Sequence, residues 1–389
     1  MKIIKIIFLN LRTIFLIAGI FILLPIILQK SFDLVQLLNI SNKDNILLST
    51  NVKIDNRYKL INYKDIDWAQ QFYIDTIKKK YAYYDFVTYK PNKFSSETIN
   101  IDKEGFRNTH GSTLEDLHDI WIFGGSTLYG FGANDETTIP SELAKLTNLK
   151  IRNYGVEGWV SRQELNQLIH EYAKLTDAEI FKKRTVIFYD GANDGLDHCR
   201  KEMNQDISTD RQNQINDALD QYGLISSKSN LEFRYIFYPA LDIFNKIKYK
   251  LGFVETALEK DKWFICDTNL DRANQIAKAV AKDWKYAQKI AEINGDEFLA
   301  ILQPHAVFID TSLDYLYDVD SYVKINQERS KNLEVMYPLF RKYAKEFDVN
   351  FLDLTNILNG EEQVYIDHAH LVPKGNKIVA QGIKFFLEK

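Results

Sequence analysis

Five short apolar runs that alternate with helical stretches limit what this chain can fold into more than any other feature of its sequence. The runs are rich in β-branched and aromatic residues, and the first three end in glycine. They are DIWIFGG (119–125), KIRNYG (150–155), TVIFYDG (185–191), EFLAILQP (297–304) and VNFLDLT (349–355). Strands separated by helices in this way indicate βαβ units. The sequence therefore predicts an α/β body with a parallel sheet.

Helical periodicity fills the gaps between these runs. Ser161 and Glu164 have the spacing of a capping box, so a helix is expected to begin at Ser161. Pro373 suits the first position of the last helix. Residues 196–296 interrupt the alternation and are interpreted as a largely helical insertion. Helices are predicted near 139–146, 161–175, 270–293, 327–347 and from 373 to the end.

The N-terminus does not fit a soluble α/β protein. Residues 13–29 carry no charge, and Lys2, Lys5 and Arg12 precede them. An apolar run of nearly this length can span a bilayer, and basic residues before it favour a cytoplasmic N-terminus. A cleaved signal peptide is the rival interpretation, but no A-x-A-like site follows. We predict an uncleaved anchor at 1–30, a stalk at 31–118 and a catalytic domain at 119–389.

Charge and cysteine content exclude some functions. The net charge of −4 makes nucleic acid an unlikely main partner. Cys199 and Cys266 are too few for a disulfide framework or a cysteine zinc site. In an exported domain these two cysteines could pair, and two unpaired thiols are the open alternative.

Polar residues and glycines follow the first three predicted strands. Ligands bind at the carboxyl ends of the strands in such sheets, so these positions are candidates for chemistry. Ser126 follows the first strand, Gly155 and then Gly158 the second, and Asn193 the third. A serine after glycines can project its hydroxyl, a glycine N–H can approach a ligand, and an asparagine amide can stabilise an oxyanion. Taken alone, each of these positions is also compatible with an ordinary turn.

Asp367 and His370 lie three residues apart before the last helix. In one turn their side chains can face the same way, so the carboxylate could hold an imidazole whose other nitrogen faces a nucleophile. A polar pair or weak metal site formed by His368 and His370 is the alternative. No further His/Cys set at ligand spacing favours a metal.

Together the blocks GGST, NYGVEGW, GAND and DHAHL resemble the Ser, Gly, Asn and His blocks of SGNH (GDSL-like) hydrolases. The match covers about 119–195 and 297–389 and is most similar to the membrane-anchored bacterial branch, where a segment like INIDKEGFRNT (99–109) also occurs. The resemblance implies a flavodoxin-like three-layer α/β/α sandwich. It implies a triad of Ser126, His370 and Asp367, with the oxyanion held by the Ser126 and Gly155 N–H groups and the Asn193 side chain. Gly125 stands where many members carry Asp.

The expected function is a serine esterase that removes O-acyl groups, with acetyl favoured, from a cell-envelope or surface polysaccharide through an acyl-enzyme on Ser126. No metal or organic cofactor is expected. A polysaccharide O-acetyltransferase with the same triad is the first alternative, and a non-catalytic glycan-binding scaffold of an export assembly is the second. The expected location is the bacterial inner membrane, single-pass, with the catalytic domain periplasmic and with envelope polysaccharide assembly proteins as partners.

Overall fold

The computed structural model describes residues 54–111, 118–200, 263–316 and 320–388, with the backbone alone over 320–326. The strands are β1 (Tyr81–Tyr84), β2 (Thr88–Pro91), β3 (Phe94–Ser95), β4 (Asn100–Ile101), β5 (His118–Gly124), β6 (Lys150–Gly155), β7 (Lys183–Asp190), β8 (Glu297–Leu302) and β9 (Phe351–Asp353). The α-helices are α1 (Ala69–Lys78), α2 (Ser126–Tyr129), α3 (Ile139–Thr147), α4 (Ser161–Ala173), α5 (Asp177–Ile180), α6 (Ala192–Leu196), α7 (Leu270–Ile293), α8 (Asp320–Glu346) and α9 (Pro373–Leu387).

Strands β5 to β9 form one parallel sheet in the order β6-β5-β7-β8-β9. Counted from β5, this is the 2-1-3-4-5 order of flavodoxin-like folds. The predicted α/β class and parallel sheet are confirmed. The last strand is shorter than the run from 349 to 355 suggested, since only Phe351–Asp353 pair with β8.

Alternate residues of the strands face opposite layers of helices. Phe123, Phe188 and Phe298 point into a core with α4, α7 and α8. Ile122 and Ile187 point into the other core, with α3 and α9. The strands are therefore buried on both faces, which explains why they read as continuous apolar runs without polar alternation.

The predicted helices are present, with two corrections at their starts. The helix expected from about 327 begins earlier, at Asp320. Ser161 is the first residue of α4 and is not its cap, because Val160 holds the cap position. The Ser161 N–H donates to the buried Asp194 carboxylate at 3.0 Å, and the Ser161 hydroxyl bonds Asp283. A distant carboxylate thus takes the place of the local cap.

Residues 54–111 pack against the sheet domain. They contain α1 and two antiparallel hairpins, β1-β2 and β3-β4. Their apolar side chains share a core with Tyr129 of α2 and with Ile366 and Val372, which flank the predicted His block. This part of the chain therefore touches both segments that carry the predicted Ser126 and His370. The residue bounds predicted for a stalk and a catalytic domain stay predictions.

Cys199 and Cys266 form a disulfide with their Cα atoms 5.3 Å apart. The Ile265 N–H also donates to the Cys199 carbonyl at 2.9 Å, and Arg200 pairs with Phe264. Of the two open alternatives the structure therefore contains the pair. The bond joins the chain on either side of residues 201–262, which lie within the predicted insertion and outside the described residues.

The predicted membrane anchor at 13–29 also lies outside the described residues. Within 54–111, 118–200, 263–316 and 320–388, no helix has the length and apolar character needed to cross a membrane.

Candidate active site

The sheet order places the predicted site at one edge. β5 lies between β6 and β7, so the chain leaves the sheet in opposite directions on either side of β5. Flavodoxin-like sheets bind ligands at this switch point, beyond the carboxyl ends of the strands. Ser126 follows β5, Gly155 ends β6, and Asn193 lies in α6 just after β7.

Ser126, His370 and Asp367 form a continuous hydrogen-bonded chain. His370 Nε2 lies 2.7 Å from Ser126 Oγ, and His370 Nδ1 lies 2.7 Å from Asp367 Oδ2. Because a carboxylate only accepts, Nδ1 carries the hydrogen and Nε2 is left to accept from the serine hydroxyl. The imidazole is thus held in the tautomer of a general base, as a Ser-His-Asp triad requires.

A tight turn explains why Asp367 and His370 work at a spacing of three. Asp367 Oδ1 accepts the backbone N–H groups of Ala369 and His370, each at 2.9 Å. The Ile366 N–H donates to the His370 carbonyl, and Tyr365 pairs with Leu371 across the turn. The turn is therefore closed by the same carboxylate that orients the imidazole.

Asp367 is buried yet ionised. Burial opposes its charge, but the hydrogen bond from His370 and the positive charge of Arg57 outweigh that effect and hold the pKa of this carboxyl well below its usual range. Arg57 donates from Nη1 to Asp367 Oδ2. Asp367 therefore receives four donors in all, counting the two backbone N–H groups of its turn and the His370 ring.

Asn193 lies against the loop that carries the serine. A Cβ at Gly125 would come within 2.3 Å of Asn193 Nδ2, so the amide occupies the space of the missing side chain. One amide hydrogen is given to the Trp159 carbonyl at 2.8 Å. Gly191, two residues before Asn193, has φ +135°, a conformation open only to glycine. A side chain at position 125, where many family members carry Asp, would therefore collide with the Asn193 amide as it is placed here.

Gly155 is not placed as the resemblance implied. Its N–H donates to Asn153 Oδ1 at 2.9 Å, and a Cβ here would lie 2.5 Å from the Tyr129 backbone nitrogen. Gly155 therefore lets β6 approach the backbone of α2, and its N–H is occupied. The sequence signal for the alternative was the second glycine of the same block, Gly158.

Gly158 lies in the loop whose Trp159 carbonyl accepts from Asn193. Its φ is +78°, and across the described stretches its N–H has no hydrogen-bond acceptor. The same Trp159 carbonyl lies 3.3 Å from the place of a Cβ on Gly125. Gly158 is thus next to the serine loop and holds a free donor where Gly155 does not.

His305 and His368 lie beside the triad and are neutral. Burial, aided by nearby cations, lowers the pKa of His368 to about 3 and that of His305 well below its usual value. His368 Nδ1 lies 3.2 Å from Arg329 Nη1 and so accepts its hydrogen. In the part of the chain that the structure describes, no three His, Cys, Asp or Glu side chains are grouped to hold a metal.

Four buried carboxyl groups lie in or near the Asn193 helix: Glu164, Asp190, Asp194 and Asp283. Burial is the largest cause that raises the pKa of all four groups, and it brings the pKa of Asp190 to about 6. Repulsion between carboxylates adds to this effect at Glu164 and Asp194, while hydrogen bonds from Glu164 and Trp284 oppose it at Asp190 and Arg162 opposes it at Asp283. Neither oxygen of Glu164 accepts an N–H or O–H from the described residues. A proton on Glu164 supplies the missing donor toward Asp190. The folded protein thus keeps protons that the unfolded chain has lost.

Because of these four carboxyl groups, we expect the free energy of unfolding to fall as the pH rises. For an acid whose folded pKa is raised, the contribution is fully present below the unfolded pKa and is lost as pH passes the folded pKa. For Asp190 that window runs from 3.8 to about 6. We expect Glu164→Gln to raise the free energy of unfolding at pH 8 by on the order of 2 kcal/mol, with a smaller gain at pH 5. Urea unfolding at both pH values measures this.

The matched control is Glu334→Gln, which removes an exposed carboxylate from α8. Its unfolding free energy should follow that of the wild type at both pH values. Equal gains for Glu164→Gln at pH 5 and pH 8 would contradict a titrating buried cluster.

Arg107, in the segment that resembled a family feature upstream of the serine, is buried beneath α2. Its Nε donates to Asp135 at 2.7 Å. The other four N–H groups donate to backbone carbonyls, those of Tyr129, Gly130, Thr98 and Ala133. All five donors of the guanidinium are therefore satisfied, and the chain that follows the serine helix is held in place by one side chain.

A cavity of about 1130 Å³ opens beside His370 and Asp367. Part of its lining comes from the segment ahead of α1, from residues 55–57 and 59–61. Residues 314–316 and Arg329 also line it. A substrate in this cavity would reach the histidine side of the triad.

A serine bonded to a His-Asp pair at the carboxyl edge of a parallel α/β sheet defines a serine hydrolase. The sequence matches the family of GDSL-like lipases and acylhydrolases over residues 120–383, more than half of the chain, and the protein belongs to that family. It is an ester-hydrolysing serine enzyme. No curated protein matches the sequence significantly.

Solved structures resemble the chain at low identity. A carbohydrate acetylesterase from Sinorhizobium meliloti is 10% identical, with 70% of this chain and 98% of that chain covered and a TM-score of 0.39. The inhibitor-bound aryl esterase of M. smegmatis gives the same identity, coverage and TM-score: 10%, 70% and 98%, and 0.39. A member of the lipolytic G-D-S-L family from Veillonella parvula DSM 2008 is 13% identical over 70% of this chain and 100% of that chain, with a TM-score of 0.37.

Proposed function

We propose that the enzyme removes O-acyl groups, with acetyl favoured, from a cell-envelope or surface polysaccharide through an acyl-enzyme on Ser126. The observation that carries this proposal is the contact of Ser126 Oγ with His370 Nε2 at 2.7 Å, in a histidine whose Nδ1 is held by Asp367. Because all three triad residues are present and hydrogen-bonded to one another, a non-catalytic scaffold is disfavoured.

The reaction follows from the geometry. As Ser126 Oγ attacks the ester carbonyl, its proton passes to His370 Nε2, and Asp367 stabilises the imidazolium. The bond from the carbonyl carbon to the sugar oxygen then breaks, and His370 returns the proton to that oxygen. Water, activated by the same histidine, attacks the acyl-enzyme and releases acetate. The proton count closes at each turnover.

Three donors are proposed to hold the oxyanion: the Ser126 N–H, the Gly158 N–H and the Asn193 side chain. Gly158 replaces the predicted Gly155 because the Gly155 N–H is bonded to Asn153. Loss of one such donor costs roughly 3–4 kcal/mol of transition-state stabilisation in related chemistry.

Four features support a large, extracytoplasmic substrate. The cavity of about 1130 Å³ exceeds the range of drug-sized sites, roughly 300–1,000 Å³, and so has room for more than an isolated acyl ester. Its lining includes exposed charged side chains, Lys59 and Asp314 among them, which can bond hydroxyl groups. The Cys199–Cys266 disulfide suits an oxidising compartment, and residues 13–29 have the composition of an inner-membrane anchor.

The proposal is tested by giving the purified protein O-acetylated polysaccharide and measuring free acetate, with Ser126→Ala as the inactive control. A series of nitrophenyl esters from acetyl to octanoyl measures the acyl preference. We expect acetate release that depends on Ser126 and a preference for acetyl over octanoyl. Hydrolysis of long-chain esters alone would contradict a polysaccharide acetylesterase.

Transfer to a sugar hydroxyl is distinguished in the same experiment. If acetylated acceptor glycan exceeds free acetate when donor and glycan are supplied together, the enzyme is an O-acetyltransferase. In cells, loss of Ser126 should raise polysaccharide acetylation for an esterase and lower it for a transferase.

A further inference from the structure

We propose that Arg57 is a positioning residue of the triad, so that the segment before the family domain completes the active site. This inference rests on the proposed function. Arg57 lies 63 residues before the matched family region, which begins at residue 120. Nothing in the four family blocks assigns it a role.

Arg57 and His370 share one oxygen of the triad carboxylate. Arg57 Nη1 donates to Asp367 Oδ2, and His370 Nδ1 lies 2.7 Å from that same atom. The remaining Asp367 oxygen is occupied by two backbone N–H groups. Arg57 therefore fixes the free face of the oxygen that orients the imidazole, and it removes the rotation that the turn alone would allow.

Arg57 is itself held from the other side. Its Nε and Nη2 donate to Asp55 Oδ2 at 2.9 and 2.6 Å, and Asp55 also accepts the Arg57 backbone N–H. A planar guanidinium that bridges two carboxylates has a defined orientation. The short helical turn at Asn56–Lys59 therefore holds Arg57, and Arg57 in turn holds the triad carboxylate in place.

An aromatic ring connects the same arginine to the catalytic imidazole. The guanidinium carbon lies 4.8 Å from the centre of the Phe131 ring, and that ring lies 4.7 Å from the centre of the His370 ring. Arg57 thus meets the triad twice, through Asp367 and through Phe131. If Arg57 only attached residues 54–111 to the sheet domain, it would not need to contact both the triad carboxylate and the ring that packs on the catalytic imidazole.

The location of Arg57 at the cavity determines how much activity its replacement should cost. Its side chain is 30% exposed and lines the cavity beside His370. Water can therefore partly replace it, and the triad would stay assembled but less well aligned. Small misplacements of reacting groups cost about 10–100-fold in rate.

The test compares Arg57→Ala, Arg57→Lys and the control Lys64→Ala on nitrophenyl acetate, a substrate too small to need the distant cavity wall. Lys64 is exposed, in the same segment. We expect kcat to fall about 10–100-fold for Arg57→Ala with KM within about twofold, and less for Arg57→Lys. Added guanidinium chloride at low millimolar concentration should restore part of the Arg57→Ala rate and leave Lys64→Ala unchanged.

Failure of the proposal and failure of the proposed function are separable. Activity in the wild type that is absent in Ser126→Ala supports the function whatever Arg57 does. A kcat for Arg57→Ala equal to that of Lys64→Ala overturns the positioning role. So does a loss that neither lysine nor guanidinium restores and that follows a lowered thermal midpoint, because the arginine would then only hold the fold.

Discussion

Ser126→Ala is expected to lower kcat/KM by about 10⁴–10⁶-fold while leaving the fold intact. Among the described residues, the hydroxyl bonds only His370 Nε2. Its removal therefore takes a partner from that nitrogen and from no other polar group. Hydrolysis of nitrophenyl acetate measures the rate, and thermal unfolding checks the fold. His370→Ala should give a loss of similar size, because the two residues act as one unit.

A serine-directed phosphonate provides an independent readout of the same residue. Mass spectrometry of the labelled wild type should place the adduct on Ser126, and Ser126→Ala should take none. Ser95→Ala, an exposed serine of the β3-β4 hairpin, is the matched control and should keep full activity and labelling. Undiminished hydrolysis by Ser126→Ala would remove the basis of the mechanism.

Arg107→Met is expected to destabilise the folded protein by about 3–5 kcal/mol. The substitution removes the Arg107 donor from four backbone carbonyls, of which those of Thr98 and Gly130 each keep one backbone N–H. It also removes the ion-pair partner of the buried Asp135 carboxylate, which then keeps Asn100 as its donor among the described residues. Urea unfolding measures the change. Since Tyr129 ends the short helix that begins at Ser126 and Gly130 follows it, activity should fall at temperatures well below the unfolding midpoint.

Two variants test whether the buried network is the cause. Arg152→Met removes a half-exposed arginine paired with Glu104 and should cost less than about 1 kcal/mol. Arg107→Met combined with Asp135→Asn should be more stable than Arg107→Met alone, because no unpaired charge is then buried. A cost for Arg107→Met no larger than for Arg152→Met would contradict the five-donor role.

The parts of the site that sequence analysis predicted are those with a local or topological rule. Asp367 and His370 share one turn, so their spacing of three is sufficient to predict the pair. Ser126 is 244 residues from His370, and their contact was predictable only because strand ends converge at one edge of a parallel sheet. The fold class follows from the same alternation of strands and helices.

The parts that the sequence did not predict depend on contacts without a local pattern. Arg57 and Asp367 are 310 residues apart, and a lone arginine in a polar segment carries no signature. Gly155 and Gly158 belong to the same sequence block, and nothing in that block tells which of them has a free N–H. They differ in structure because the Asn153 side chain takes the N–H of Gly155. Ser161 matched a capping pattern, but the buried Asp194 takes its N–H instead.

The Cys199–Cys266 bond has a consequence for how this protein can change over evolutionary time. With Cα atoms 5.3 Å apart, the described chain before residue 201 and the described chain after residue 262 are joined at nearly one point. Insertion or loss of sequence between these two residues adds little strain to the body, since the ends are already joined. Changes in sequence between residues 201 and 262 are therefore compatible with two fixed ends, and a short turn in place of those residues should leave the disulfide, the sheet and the triad intact.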